Sequence, residues 1–131
     1  MKPEYTKNDI IKYRLNKAHK NLYDAKLIAG QHLLDPAMNR IYYACFHATS
    51  ALLLNEDFNP KSHKGVRKML GLHFIEKGRI SKEWGRFYND TFEYRHKSDY
   101  EDFFVLNVET ISEFLSKADD FIQIIQKLIE N

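Results

Sequence analysis

Between Ile41 and Leu54 the chain carries no Asp, Glu, Lys or Arg. A helix this apolar all round belongs at the centre of a helical core or against a second subunit. The surrounding stretch Asp35–Glu56, DPAMNRIYYACFHATSALLLNE, reads as one such helix. Asp35 can cap it, and Pro36 suits the first helical position, where a missing N–H costs nothing. Two faces follow from the helical period: Ile41, Cys45, Ala48 and Leu52 on one, Arg40, Tyr43, Ala44 and His47 on the other. The sequence therefore predicts a buried hub helix with a polar stripe of Arg40, Tyr43 and His47. A buried Arg and His need partners, so an acid, a ligand or a subunit is expected against them.

The rest of the chain supplies helices to surround that hub. Thr6 followed by Asp9 is a capping-box-like start for a first helix over about Lys7–Leu34. Ile11, Leu15, Ala18, Leu22, Ala25 and Ala29 form its inner stripe, and its other face is lysine-rich and solvated. A polar turn, Asp57–Ser62, leads to a helix from His63 to about Lys77, which Gly65 and Gly71 weaken. A fourth helix starts at Ser81. Asp99–Leu106 breaks the period and reads as a loop tucked down by Phe103 and Phe104. Asn107 caps a last helix with Val108, Ile111, Leu115, Ala118, Ile122, Ile125 and Ile129 inward. The expected fold is all-α, an up-and-down four-helix bundle with a short additional helix, as a single domain over residues 1–131.

Composition narrows the function classes. Glycine and proline are scarce, and no apolar run approaches the roughly 20 residues a membrane span needs. The one cysteine, Cys45, lies on the apolar face and reads as a core thiol, which fits a reducing, cytoplasmic setting. Net charge is +2 but unevenly spread. Residues 61–97 hold ten basic and four acidic side chains, and residues 98–131 hold eight acids and two lysines. That asymmetry fits a nucleic-acid face, and equally fits oppositely charged sides of one bundle. The histidines are not spaced as a metal set, and no metal or cofactor is expected.

Three polar groupings are candidates for chemistry. The first is Arg40, Tyr43 and His47. The second is Ser62–His63–Lys64–Gly65, where helix-start N–H groups and two basic side chains suit a phosphate. The third is Arg95–His96–Lys97–Ser98–Asp99–Tyr100, with a phosphate-binding Arg, an acid/base His, a carboxylate and a phenol in six residues.

In order along the chain, NRIYYACFHATSALL, SHKGV, RHKSDY and the A-x-x-F of Ala118–Phe121 resemble the landmarks of the HEPN domain family over roughly residues 9–128. RHKSDY is similar to the Arg-x-x-Ala-Asp-Tyr motif of one prokaryotic branch, with Ser98 in the Ala place. The resemblance implies a helical bundle and a homodimer. It also implies a place among ribonucleases and toxins, often encoded beside a small nucleotidyltransferase that neutralises them. Nuclease members carry an Arg and a His with four to six residues between them near a helix end, and cleave RNA without metal. Here the corresponding positions after Arg95 are Tyr100, Glu101 and Asp102, and none is His. Arg40 and His47 have that spacing, but on the hub helix.

The sequence thus predicts a dimeric nucleotide- or RNA-associated member of a nucleotidyltransferase/HEPN pair of toxin–antitoxin type. Arg40, Tyr43, His63 and Lys64 are its expected ligand-binding residues. A metal-independent endoribonuclease using Arg95, His96, Asp99, Tyr100 and His47 is the alternative, and a non-catalytic adaptor bundle is a third.

Overall fold

The computed structural model describes residues 4–130. Residues 1–3 and 131, which the single-domain expectation included, lie outside them. The helices are α1 (Lys7–Gly30), α2 (Leu34–Asn55), α3 (His63–Leu70), α4 (Lys82–Tyr100) and α5 (Val108–Glu130), with a π-helical turn at Gly71–Ile75. No strand occurs among the described residues.

Cross-helix contacts give the directions. Lys7 reaches Asp57, Arg14 reaches Ser50 and Arg40 reaches Asn21, so α1 and α2 run antiparallel. Ser98 meets Asp35 while Arg95 meets Tyr42, so α4 runs against α2. Trp84 packs on Phe121 and Tyr94 on Phe114, so α5 runs against α4. The result is an up-down-up-down bundle, with α3 and the π turn as the extra segment. α2 touches every other helix and is the hub. Ala18 and Ala25 of α1 and Ala37, Ala44, Ala48 and Ala51 of α2 are fully buried, and these small side chains let helices approach closely. Cys45 is buried in the same core, and burial pushes its thiol pKa up, as befits a packing residue.

Several local expectations hold. Thr6 and Asp9 form a reciprocal capping box. The Ser62 hydroxyl accepts from Gly65 N–H at 2.9 Å, and Asn107 Oδ1 accepts from Thr110 N–H at 2.8 Å. Gly65 acts as more than a weak point. A Cβ there would sit 3.0 Å from Ser62 Oγ and 3.1 Å from Pro60 Cβ, so a larger residue presses directly on the cap.

Others are corrected. α1 stops at Gly30, because His32 adopts a left-handed conformation (φ 62°) and the Leu33 N–H turns back to the Ile28 carbonyl. α2 begins at Leu34, with Leu33 in the cap position and no side-chain cap. Asp35 is therefore not the cap. It lies in the first turn, where it accepts a 2.6 Å hydrogen bond from the Ser98 hydroxyl and ties the end of α4 to the start of α2. α4 runs on to Tyr100, past the expected break at Asp99. Phe104 packs on Tyr94, but Phe103, held at φ 65°, is fully exposed rather than tucked down.

Candidate functional site

The antiparallel pairing of α2 and α4 brings the two outer polar groupings toward each other through a residue neither contained, Tyr42. Its ring is buried, and the Arg95 guanidinium lies over it at 4.8 Å from the centroid. On the other side, α3 delivers His63, whose Nδ1 is 2.6 Å from the Tyr42 hydroxyl. Burial drives the Tyr42 pKa up to about 12, against the opposing pull of Arg95, so the phenol keeps its proton. Burial first, then Arg95, lowers the His63 pKa, so the imidazole is neutral at pH 7. Two neutral groups thus share this hydrogen bond, and the imidazole tautomer sets which of them donates.

From this centre an aromatic track runs along α2. His63 packs at 4.6 Å from Phe46 and 5.8 Å from Tyr43, and Tyr43 lies 6.0 Å from His47 (ring centroids). Tyr43, Phe46, His47 and His63 are all half-buried. Arg67 of α3 covers Phe92 at 4.2 Å and makes a 3.8 Å ion pair with Glu93, so α3 and α4 close one edge of the track.

Arg95 is only partly satisfied. Its one ion pair, with Asp99 one turn on, is 3.4 Å long, and its buried Nε has no hydrogen-bond partner. A buried donor without a partner is costly and unusual. Beneath it the Tyr88 hydroxyl is buried beside the Tyr42 phenol without a well-formed hydrogen bond, and burial raises its pKa well above the ordinary value.

The structure brings together Arg95, Tyr43, His63 and, at the far end of the track, His47. It does not bring in the others. His96 is exposed and packs on Tyr100, 4.9 Å away, and Tyr100 is 70 % exposed. Both lie on the outside of α4, since a residue adjacent to Arg95 points about 100° away. Asp99 stays on its own helix with Arg95. Among the described residues no acid pairs with Arg40, which is exposed and donates to the neutral side-chain oxygen of Asn21 at 3.1 Å. Lys64 lines a separate shallow groove of about 540 Å³ with Arg67, Lys68 and Leu72. A further hollow of about 640 Å³ lies along α1 beside Tyr5, Ile10 and Tyr13, and holds none of these residues.

Sequence reasoning missed Tyr42, Arg67 and Asn21. The Tyr-Tyr pair at 42–43 marked the place, but only the rotation of α2 against α4 decides which ring lies under Arg95. Among the described residues no group of His, Cys, Asp and Glu is placed to hold a metal ion, and no helix is long and apolar enough to cross a membrane.

Comparison with known proteins agrees with this architecture. The HEPN domain family model matches residues 11–128. A Thermotoga maritima chain named "UPF0332 protein" is 39% identical over 125 residues, 95% of each chain. Two Methanocaldococcus jannaschii proteins are also similar. "Putative toxin MJ0605" is 43% identical over 83 residues, 63% of this chain and 62% of that one. "Putative toxin MJ0142" is 31% identical over 115 residues, 88% and 78% respectively. With the family pattern spanning nearly the whole bundle, from the first buried turn of α1 to the last of α5, the chain belongs to the HEPN domain family.

Proposed function

We propose that this chain is the HEPN member of a toxin–antitoxin-like pair, works as a homodimer with a small nucleotidyltransferase as partner, and binds a nucleotide or RNA along the Tyr42–His63–Arg95 track. The observation that carries the reading is Arg95. Its guanidinium is anchored on an aromatic ring, has an unpartnered buried Nε, and makes only a long contact from Nη1 to Asp99. Such a group is poised to take an anionic oxygen. Half-buried Tyr43 and His63 beside it offer ring faces for a base. The names of the two Methanocaldococcus relatives support the toxin side of the pair.

The test is binding of ATP and of a short single-stranded RNA to the purified chain. Binding that falls at least tenfold in Arg95→Ala supports the reading. A strictly monomeric mass, together with no binding of either ligand, removes it.

One observation favours a second reading, a metal-independent ribonuclease. The His that the sequence motif lacks after Arg95 has a tertiary counterpart in His63, which shares Tyr42 with Arg95. A neutral imidazole beside an arginine is a suitable general base for phosphodiester cleavage, with the arginine stabilising charge on the phosphate. RNA breakdown on expression in cells, lost in His63→Ala and retained in His96→Ala, would select this reading. Unchanged RNA and growth in the parent would remove it.

A further inference from the structure

The outer edge of the α1–α2 pair holds a second cationic grouping that the Arg95 track does not use. Lys7 with Asp57, Arg14 with Ser50 and Asn21 with Arg40 set the antiparallel register of the two helices. By that register Lys17 stands opposite His47, between the Arg14 and Arg40 levels. Arg14 donates to the Ser50 carbonyl at 3.2 Å and to Asn59 Oδ1 at 3.0 Å. Arg40 donates to Asn21 Oδ1, and the Asn21 amide is itself fixed by donating to the Lys17 carbonyl at 2.9 Å.

Every one of these acceptors is neutral. They orient the guanidinium groups without cancelling their charge. No ion pair among the described residues involves Arg14, Lys17 or Arg40. The nearby acids are engaged elsewhere, Asp24 by Lys20 and Asp57 by Lys7. By the same register His47 lies on α2 between the levels of Arg14 and Arg40, with the Tyr43 ring 6.0 Å away. Burial first, then Lys17, Arg14 and Arg40, brings its pKa down to about 4, so it adds no charge at neutral pH. Three like charges around one neutral imidazole raise the energy of the folded chain, and an anion bound there relieves that cost.

We propose that this α1–α2 edge is a second anion site, distinct from Arg95, that takes two adjacent phosphoryl groups on Arg14, Lys17 and Arg40, with Tyr43 offering a face to an attached base. Arg40 and Ser50, the residue that Arg14 reaches, lie ten residues apart, about 15 Å along the helix, so the three cations form an extended row rather than a cradle for a single phosphate. The same chemistry is presented by a nucleoside polyphosphate and by consecutive phosphodiesters of a single strand. The site shares this ligand class and the Tyr43 ring with the reading above, and its cations are separate from Arg95.

The test uses the intact chain, Arg14→Gln/Lys17→Gln and Arg95→Gln, each checked for helical content, titrated with ATP and with a ten-residue single-stranded RNA at several salt concentrations. The double variant is expected to weaken binding at least tenfold at low salt. For RNA it should also flatten the plot of log K against log salt by about 1.4, roughly 0.7 for each phosphate that is no longer neutralised. ATP binding that depends on the pair assigns a nucleoside polyphosphate, and RNA binding alone assigns phosphodiesters. Lys17 is exposed, so Lys17→Glu carries the same test if the double variant misfolds. Inorganic triphosphate should also raise the His47 pKa. Unchanged binding in the double variant, or no binding of either ligand by the parent, overturns the site. Weaker binding in Arg95→Gln with the double variant unchanged overturns it while leaving the Arg95 reading in place, and the reverse pattern does the opposite.

Discussion

Arg95 of α4 lies over the ring of Tyr42 of α2, its guanidinium carbon 4.8 Å from the ring centroid. Two segments more than fifty residues apart in the chain thus share one cation–aromatic contact at the middle of the bundle. Tyr42 also holds His63 at 2.6 Å, so the contact fixes three helices at once. Its consequences can be measured on the free chain.

Replacing Arg95 should change both stability and the titration of His63. Arg95→Ala removes a partly buried cation–π contact and should cost about 1–2 kcal/mol in denaturant unfolding. Arg95 is the second cause, after burial, holding the His63 pKa down. An NMR pH titration should therefore show the His63 pKa moving up in Arg95→Ala and remaining low in Arg95→Lys. A His63 titration identical in all three proteins would mean that the guanidinium and imidazole do not sense each other.

The two buried phenols should respond in opposite directions. Tyr42→Phe takes the hydrogen bond from His63 and should cost about 1 kcal/mol. Tyr88→Phe removes a buried hydroxyl without a well-formed bond and should be neutral or stabilising by up to about 1 kcal/mol. Thermal unfolding of the two variants side by side distinguishes them. A clear drop in the stability of Tyr88→Phe would show that its hydroxyl has a partner after all.

Stability should fall on mild acidification because of His47. The folded imidazole titrates at about 4, below its ordinary value near 6.5. Between those values the unfolded chain binds the proton and the folded chain does not. Stability contributed by this group is thus fully present above pH 6.5 and is lost as the pH falls toward 4. The side chain is half-exposed, so solvent screening reduces the effect to about 1–2 kcal/mol. In His47→Gln the profile of unfolding free energy between pH 6.5 and 4 should be flatter by that amount.

The glycines of the third segment should not be equivalent. Gly65→Ala forces a Cβ against Ser62 Oγ and Pro60 and should destabilise by about 1–2 kcal/mol, loosening the cap that positions His63. At Gly71 nothing lies within 4 Å of a new Cβ, and alanine there should stabilise by up to about 1 kcal/mol. Urea midpoints of the two variants test the contrast. Equal destabilisation would mean that the close approach at Ser62 relaxes freely.

Much of the bundle is legible in the sequence because helices are encoded locally. The spacing of Ile11, Leu15, Ala18 and Leu22, or of Ile111, Ala118, Ile122 and Ile125, identifies a helix and its buried face with no knowledge of its neighbours. The Thr6–Asp9 box, the Ser62 cap and the Asn107 cap are equally local. The charge-free run from Ile41 to Leu54 likewise identifies α2 as the element every other helix must cover.

What the tertiary structure decided is which residues meet. From spacing alone, Arg40, Tyr43 and His47 form one stripe that needs an acid, a ligand or a subunit against it. In the fold Tyr42 takes Arg95, Asp99 stays on α4, and Arg40 turns to Asn21 on α1. Asp35 likewise gives up the cap position and meets Ser98 across the bundle. A rotation of one residue, about 100° of helix, exchanges Tyr43 for Tyr42, and a shift of one turn along the α1–α2 register would move Lys17 away from His47. Periodicity determines the inner side of each helix of this chain. The rotation and register of antiparallel neighbours are set by how the buried side chains interlock across helices, and that interlocking placed His63, Tyr42 and Arg95 together.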